Sequence, residues 1–130
     1  MKREITLTRA EEEIMQILWR IEKGFIKDIL AHFDDPKPAY NTVSTIVRIL
    51  ETKGYIGHFS YGKTHEYYPL IKRDEYTKAY FSSFLQNHFN NSFQKMVSFF
   101  AKNESMDTKE LEQTLAIMQQ QLEKQKAKKR

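Results

Sequence analysis

The stretch Asn41 to Gly54, N-T-V-S-T-I-V-R-I-L-E-T-K-G, constrains the fold more than any other part of this chain. Its apolar residues Val43, Ile46, Val47 and Leu50 recur at i, i+3, i+4 and i+7, so they line one face of a helix and demand a core to receive it. Advancing roughly 100° per residue carries Asn41, Thr45, Arg48 and Thr52 to the opposite face, with Thr42 and Ser44 beside them. A solvated helix face ordinarily carries Glu and Lys; this one carries short polar side chains that are weak helix formers. Such side chains let a backbone approach a partner closely while still offering donors and acceptors. The major groove of DNA is a partner of that kind, and a plain surface helix is the alternative these residues equally allow.

A chain of 130 residues with 40% hydrophobic content can hold one ordinary domain or two small ones. It has no cysteine, which removes disulfides, thiolate metal sites and cysteine nucleophiles. No apolar run reaches the roughly 20 residues of a membrane span, and M-K-R-E-I-T-L-T has no signal-peptide core, so the expectation is a cytoplasmic chain without membrane insertion. Charge alone is a weak argument for nucleic acid. Residues 1 to 70 carry ten Lys and Arg against ten Asp and Glu; the net +4 comes from residues 71 to 130, and five of its cations sit in the final K-Q-K-A-K-K-R, read as a frayed, solvated tail.

Thr8-Arg9-Ala10-Glu11 fits a capping box opening a first helix, whose core stripe is Ala10, Ile14, Ile17, Leu18 and Ile21, widened by Met15 and Trp19. Glu11, Glu12 and Glu13 complement the helix dipole there and are not metal ligands. Gly24 is expected to end this helix, and Phe25 to Phe33 to form a short second one. Asp34-Asp35-Pro36-Lys37-Pro38 breaks the chain, and Pro38 suits the first position of the helix that follows. After Lys53-Gly54 the composition turns aromatic and β-forming. Tyr55 to Ser60 and His65 to Pro69 read as antiparallel strands joined around Gly62-Lys63. Three helices followed by a hairpin give the order of a winged helix-turn-helix, mainly α with a small antiparallel β wing. Lys63 at the wing tip would meet a phosphate, with Tyr61 and His58 as helpers. His58 and His65 are otherwise taken as solvent-exposed strand residues, since no histidine pair has a metal-ligand spacing.

Residues 71 to 130 read as helices separated by polar breaks. Asp74 to Phe89 carries Tyr76, Tyr80, Phe84 and Leu85; Asn90-Asn91-Ser92 interrupts; Phe93, Met96, Val97 and Phe100 form a second stripe. Lys102 to Met106 is loop-like, and Asp107-Thr108-Lys109-Glu110 resembles another capping box. Leu111, Leu115, Met118 and Leu122 then make a coiled-coil-like seam. A helical region of this size buries little on its own, so 1 to 70 is expected to be a DNA-binding domain and 71 to 130 a dimerisation domain with a basic C-terminal tail. Tyr80, Phe84, Phe93, Val97, Phe100, Leu111, Leu115, Met118 and Leu122 are its contact candidates, and a monomer folded back on itself is the alternative.

The runs T-R-A-E-E-E-I-M-Q-I-L-W, N-T-V-S-T-I-V-R-I-L-E-T-K-G-Y-I and Y-Y-P-L together resemble the penicillinase-repressor family, the winged-helix repressors of β-lactamase and methicillin-resistance operons. That resemblance implies a homodimer on an operator dyad of double-stranded DNA, with contacts from Asn41, Thr42, Ser44 and Thr45. Many members carry a basic residue where this chain has Ile49, next to Arg48. It also implies inactivation by a membrane-bound sensor protease that cuts an Asn-Phe bond. The matching stretch here, V-S-F-F-A, lacks the Asn and puts the candidate cleavage at Phe99-Phe100; another release signal, such as a ligand between the C-terminal helices, is the second reading. The copper-responsive relatives use cysteine clusters, which this chain does not have. No catalytic motif and no cofactor motif is present, so an enzyme is not expected. The rival from another class is a winged helix serving as a protein-interaction module.

Overall fold

The structure, a computed structural model, describes residues 7–103 and 107–129. Its elements run α1 (Arg9–Ile21), α2 (Ile26–Ala31), α3 (Tyr40–Thr52), β1 (Ile56–Tyr61), β2 (Thr64–Pro69), α4 (Arg73–Phe89), α5 (Phe93–Lys102) and α6 (Thr108–Lys128). They divide into two compact units, Met1–Ser83 and Phe84–Arg130, so the first extends beyond the boundary expected at residue 70.

The first unit is the three-helix-plus-wing arrangement. Thr8 caps α1 as expected: its side chain accepts the Glu11 amide at 3.1 Å, and Glu11 Oε1 accepts the Thr8 amide at 2.8 Å. The stripe beneath differs at its start. Ala10 is exposed, and the buried face begins instead at Glu11, followed by Ile14, Met15, Ile17 and Leu18. A buried carboxylate needs a cation, and Lys53, just past the end of α3, places its Nζ 3.0 Å from both Glu11 oxygens.

Glu22, at φ +74°, terminates α1 in place of Gly24. Gly24 has another task. It exchanges two backbone hydrogen bonds with Tyr67, at 2.9 and 2.8 Å, and so adds a one-residue bridge to the wing. A Cβ there would stand 2.9 Å from Ile21 Cδ1 and 3.1 Å from Asp28 Cβ, so close approach selects glycine at this position. α2 is shorter than Phe25 to Phe33. Asp28 Oδ2 accepts the Phe25 amide at its start, and the Lys37 ammonium donates to the carbonyls of Leu30, Ala31 and Phe33 at its end. Lys37 thus satisfies orphan carbonyls where the helix dipole favours a cation.

Pro38 precedes the α3 N-cap, Ala39, and does not open the helix itself. Val43, Val47 and Leu50 are fully buried and Ile46 partly so. The end of α3 is a Schellman motif: Gly54 at φ +86° donates to Glu51 O at 3.0 Å, and Tyr55 N donates to Leu50 O at 3.0 Å. That turn drives Tyr55 into the core and launches β1, which pairs with β2 from Ile56↔Pro69 to Tyr61↔Thr64. Gly62, at φ +64°, takes the first position of the two-residue loop, where a type II′ turn requires glycine. The start of α4 closes the core. Trp19 Nε1 donates to Ile71 O at 2.8 Å, and Tyr76 packs its ring 5.6 Å from Trp19 and 6.1 Å from Tyr55. Burial first, then the charge of Glu12, pushes the Tyr76 phenol up to about 12.

In the second unit, Asn90 and Asn91 both adopt positive φ, and Asn91 N donates to Leu85 O, ending α4 at the expected break. Ser92 caps α5 and Asp107 caps α6; for Asp107 only the side-chain-to-amide half of the expected box is made. Phe89 meets Phe99 and Phe100 at ring separations of 5.7 and 6.2 Å. Among its described residues, none of the second unit is buried. Over its described residues the basic tail, expected to be frayed, is helical instead: α6 runs through Lys128, and the side chains of Lys124 to Lys129 are exposed. The expected loop from Lys102 to Met106 falls partly outside the described residues. Among those described, no helix is long and apolar enough to cross a membrane.

The Glu11–Lys53 pair predicts a pH signature. Burial alone would raise the Glu11 carboxyl; the Thr8 amide and the Lys53 ammonium outweigh it and hold it below its ordinary 4.5. A depressed folded-state value stabilises the fold above the ordinary carboxylate range, and that contribution is lost as pH falls through the folded value. Lys53→Met, which leaves the carboxylate buried without its cation, is expected to cost about 1–3 kcal/mol near neutrality. Urea midpoints of wild type and variant should converge in acid; an equal gap at about pH 3 and about pH 7 counts against the pair.

Candidate nucleic-acid interface

Burial of Val43, Val47 and Leu50 turns the other face of α3 outward. Asn41, Thr42, Thr45, Arg48 and Thr52 are exposed there, and Ser44 is half-buried at the edge nearest the wing. Local hydrogen bonds organise this face. Thr45 Oγ1 donates to Asn41 O at 2.9 Å and Thr52 Oγ1 to Arg48 O at 3.0 Å, which leaves each hydroxyl with acceptor capacity and turns its one donor inward. Arg48 Nη2 reaches Ser44 Oγ at 3.2 Å, so the guanidinium leans along the helix toward the wing. Ile49, beside Thr45 and Thr52, is an exposed apolar residue on an otherwise polar surface.

The wing stands next to this helix. Lys63 lies exposed at the turn; Tyr61 is exposed, with its ring 5.9 Å from Phe25 and its hydroxyl 3.4 Å from Glu66 Oε1. The two wing histidines depart from expectation. Neither is a freely exposed strand residue: both are half-buried, and their rings stack at 4.0 Å with planes 4° apart. His58 Nδ1 makes a short contact with the Glu51 carboxylate of α3, so His58 joins wing to helix and is not a free helper at the tip. Tyr67 edges both rings at 5.8 and 6.0 Å. Burial, then the Glu51 charge, raises its phenol above the ordinary value.

Between α2, α3 and the wing lies a cavity of about 540 Å³. Lys27, Arg48, Lys63 and His65 reach it from four different segments, with Ser44 and Tyr40 among its walls, and among the described residues no carboxylate lines it. Of the residues singled out from sequence, Ser44, Arg48 and Lys63 meet around this cavity. Asn41, Thr42 and Thr45 lie on the exposed helix face, and Tyr61 on the wing. Lys27, Tyr40 and His65 were not anticipated. The hairpin register held the signal for the last: pairing Tyr61 with Thr64 places positions 58, 60, 65 and 67 on one face. Among the described residues, no group of three or more metal-ligating side chains is assembled.

Several known proteins resemble this chain. The penicillinase repressor of Bacillus licheniformis is 23% identical over 92% of this chain and 94% of its own length. The penicillinase repressor of Staphylococcus aureus is 24% identical over 89% and 93%. The methicillin resistance regulatory protein MecI of Staphylococcus aureus strain N315 is 23% identical over 86% and 92%. The solution structure of the DNA binding domain of the repressor BlaI superposes with a TM-score of 0.50 at 22% identity, covering 58% of this chain and 93% of that one, a likeness of fold. The model of the penicillinase repressor family matches residues 7–120, and the relatives grouped there are repressors and not enzymes. The winged-helix unit, the exposed polar face of α3 and a match running through both units make this chain a member of the penicillinase repressor family.

Proposed function

We propose that the chain is a DNA-binding repressor that acts as a homodimer and occludes an operator dyad, reading bases with Asn41, Thr42, Ser44 and Thr45 and holding the backbone with Arg48, Tyr61 and Lys63. The observation that carries this reading is the adjacency of a short-polar, exposed helix face to a cavity that, among the described residues, is walled by cations and no carboxylate. Short polar groups suit base edges, and cations suit phosphates. The family's repressors, named for penicillinase and methicillin resistance, support it.

Asn41→Ala and Thr45→Ala should each cost specific operator affinity about 1–3 kcal/mol and leave nonspecific binding nearly intact. Lys63→Ala should weaken binding to every sequence and lower the salt slope by about 1. Fluorescence anisotropy on operator and scrambled duplexes at two salt concentrations measures both. Binding that ignores salt, or Ala variants that leave every sequence unchanged, would favour the protein-interaction reading of this helix.

Dimerisation through the second unit is supported by its lack of any buried residue among those described, and by a row of exposed apolar side chains on α6, Leu111, Leu115, Met118 and Leu122. Tyr80 and Phe93 are exposed as well, and Phe84, Val97 and Phe100 half-buried, which suits a surface completed by a second copy. Replacing Leu115 and Met118 together by Asp would put unpaired charge into a desolvated seam. The expected result by light scattering is a monomer whose first unit keeps its fold and whose operator affinity falls steeply. A dimer that survives places the contact elsewhere.

Release follows from cutting the second unit at Phe99-Phe100 by a membrane-bound sensor protease. Phe99 is 52% exposed, and both rings pack on Phe89, so a cut there divides α5 and separates Phe100 from the fragment that keeps Phe89 and Phe99. Cells exposed to a β-lactam should show derepression together with a shortened fragment on immunoblot. Derepression with the chain intact would sink the cleavage and leave a ligand as the releasing signal.

A further inference from the structure

The cavity beside the wing is lined by cations. Three fixed cations, Lys27 from α2, Arg48 from α3 and Lys63 from the wing turn, converge on it, although residues 1 to 70 are neutral overall. The hydroxyl of Ser44, itself bonded to Arg48, lies on the same wall. Each neighbouring carboxylate is engaged away from the cavity lining. Asp28 accepts the Phe25 amide, Glu51 contacts His58, and Glu66 faces Tyr61. A concave site with several cations and no anion on its walls attracts a phosphate, and the volume of about 540 Å³ leaves room for its ester substituents.

His65 completes the wall. It lines the cavity on one side and stacks on His58 on the other, and His58 in turn contacts Glu51. The groups facing the pair are Glu51, Arg48 and Tyr40 from α3, Lys63 from the turn, Tyr67 on β2 and Lys27 from α2. When His65 takes a proton from solvent it becomes a fourth cation on the cavity wall, next to three others and against a second imidazole. A bound phosphate attracts that charge, so anion binding and proton uptake favour one another.

We propose that this cavity is a phosphate-binding site in which Lys27, Arg48 and Lys63 are joined by His65 as a proton-linked ligand, its occupant being a phosphodiester of the DNA backbone. The proposal rests on the DNA-binding reading for its occupant but not for its chemistry, which a free phosphate shares.

The test uses the full chain and two kinds of probe. With duplex DNA at constant ionic strength, wild-type affinity should rise as pH falls from about 8 to about 6, by at most about tenfold per pH unit for one linked proton. His65→Gln should flatten that profile. Lys27→Ala should keep the pH dependence and lower the salt slope by about 1. With inorganic phosphate and pyrophosphate in place of DNA, amide shifts by NMR should saturate at the backbone of Lys27, Arg48 and His65 in wild type and not in Lys27→Ala. If wild type binds DNA but Lys27→Ala leaves the salt slope unchanged and His65→Gln leaves the pH profile unchanged, the site is overturned and the DNA reading stands. If wild type binds no DNA, that reading fails, and the small anions decide: saturable shifts lost in Lys27→Ala retain a phosphate site, and their absence overturns it.

Discussion

The outward face of α3 depends on what its inward face buries. Val43, Val47 and Leu50 lie fully inside the core with Ile14, Leu18 and Ile29, and burying each such side chain contributes roughly 1.5–3 kcal/mol. Because the rotation per residue is fixed, seating that stripe leaves Asn41, Thr45, Arg48 and Thr52 no place but solvent. The same seating directs the chain beyond α3. The Schellman turn at Gly54 fixes its exit, Tyr55 anchors it in the core, and Lys53 reaches back to Glu11 at the opening of α1. One packed helix face therefore orients the exposed polar surface and aims the wing beside it.

A two-stranded hairpin is marginal by itself, and here it is tied down at its base. The Gly24–Tyr67 bridge hydrogen-bonds it to the turn between α1 and α2, Tyr67 is buried, and the His58–Glu51 contact fastens β1 to α3. These ties also reshape the electrostatics. Glu11 is neutralised by Lys53, Asp28 is occupied in capping α2, and Glu51 is turned toward His58, so these three negative charges are held away from the cavity lining. A stretch with no net charge, residues 1 to 70, can therefore present a cationic cleft. The count of ionisable residues in the sequence conceals this, because it carries no information on where each carboxylate is engaged.

Features set by neighbours in sequence were legible from it: the Thr8–Glu11 capping box, the α3 stripe, the glycine that closes α3, the Gly62-Lys63 turn, and the asparagine break before Ser92. Each is fixed within one helical turn or one hairpin. The features that escaped depend on partners far along the chain. Glu11 is buried and Ala10 exposed because a lysine 42 residues away supplies the countercharge. Gly24 serves a strand it meets only in the fold, and the role of Lys37 at the end of α2 appears only when its ammonium folds back on three carbonyls. The site divides in the same way. The exposed helix face follows from periodicity, whereas the convergence of Lys27, Arg48, Lys63 and His65 follows from packing α2 against both α3 and the wing.

The second unit poses the opposite problem, since its helices carry apolar side chains and yet no described residue of it is buried. The Phe89–Phe99–Phe100 contacts order its first two helices locally, while the row on α6 from Leu111 to Leu122 has solvent around it. A helical segment this small gains its missing core most readily from a second copy, by the same physics that makes very small domains depend on oligomerisation. In the proposed dimer that burial would couple directly to operator occupancy. A winged helix that makes a few phosphate contacts binds modestly and with steep salt dependence. Joining two of them turns the second half-site into an intramolecular event and raises avidity by about 10² to 10⁴ without any new contact to DNA. Whatever separates the two copies removes that factor at once. Control placed on the weakly packed second unit can thus release DNA while leaving the tightly packed first unit folded.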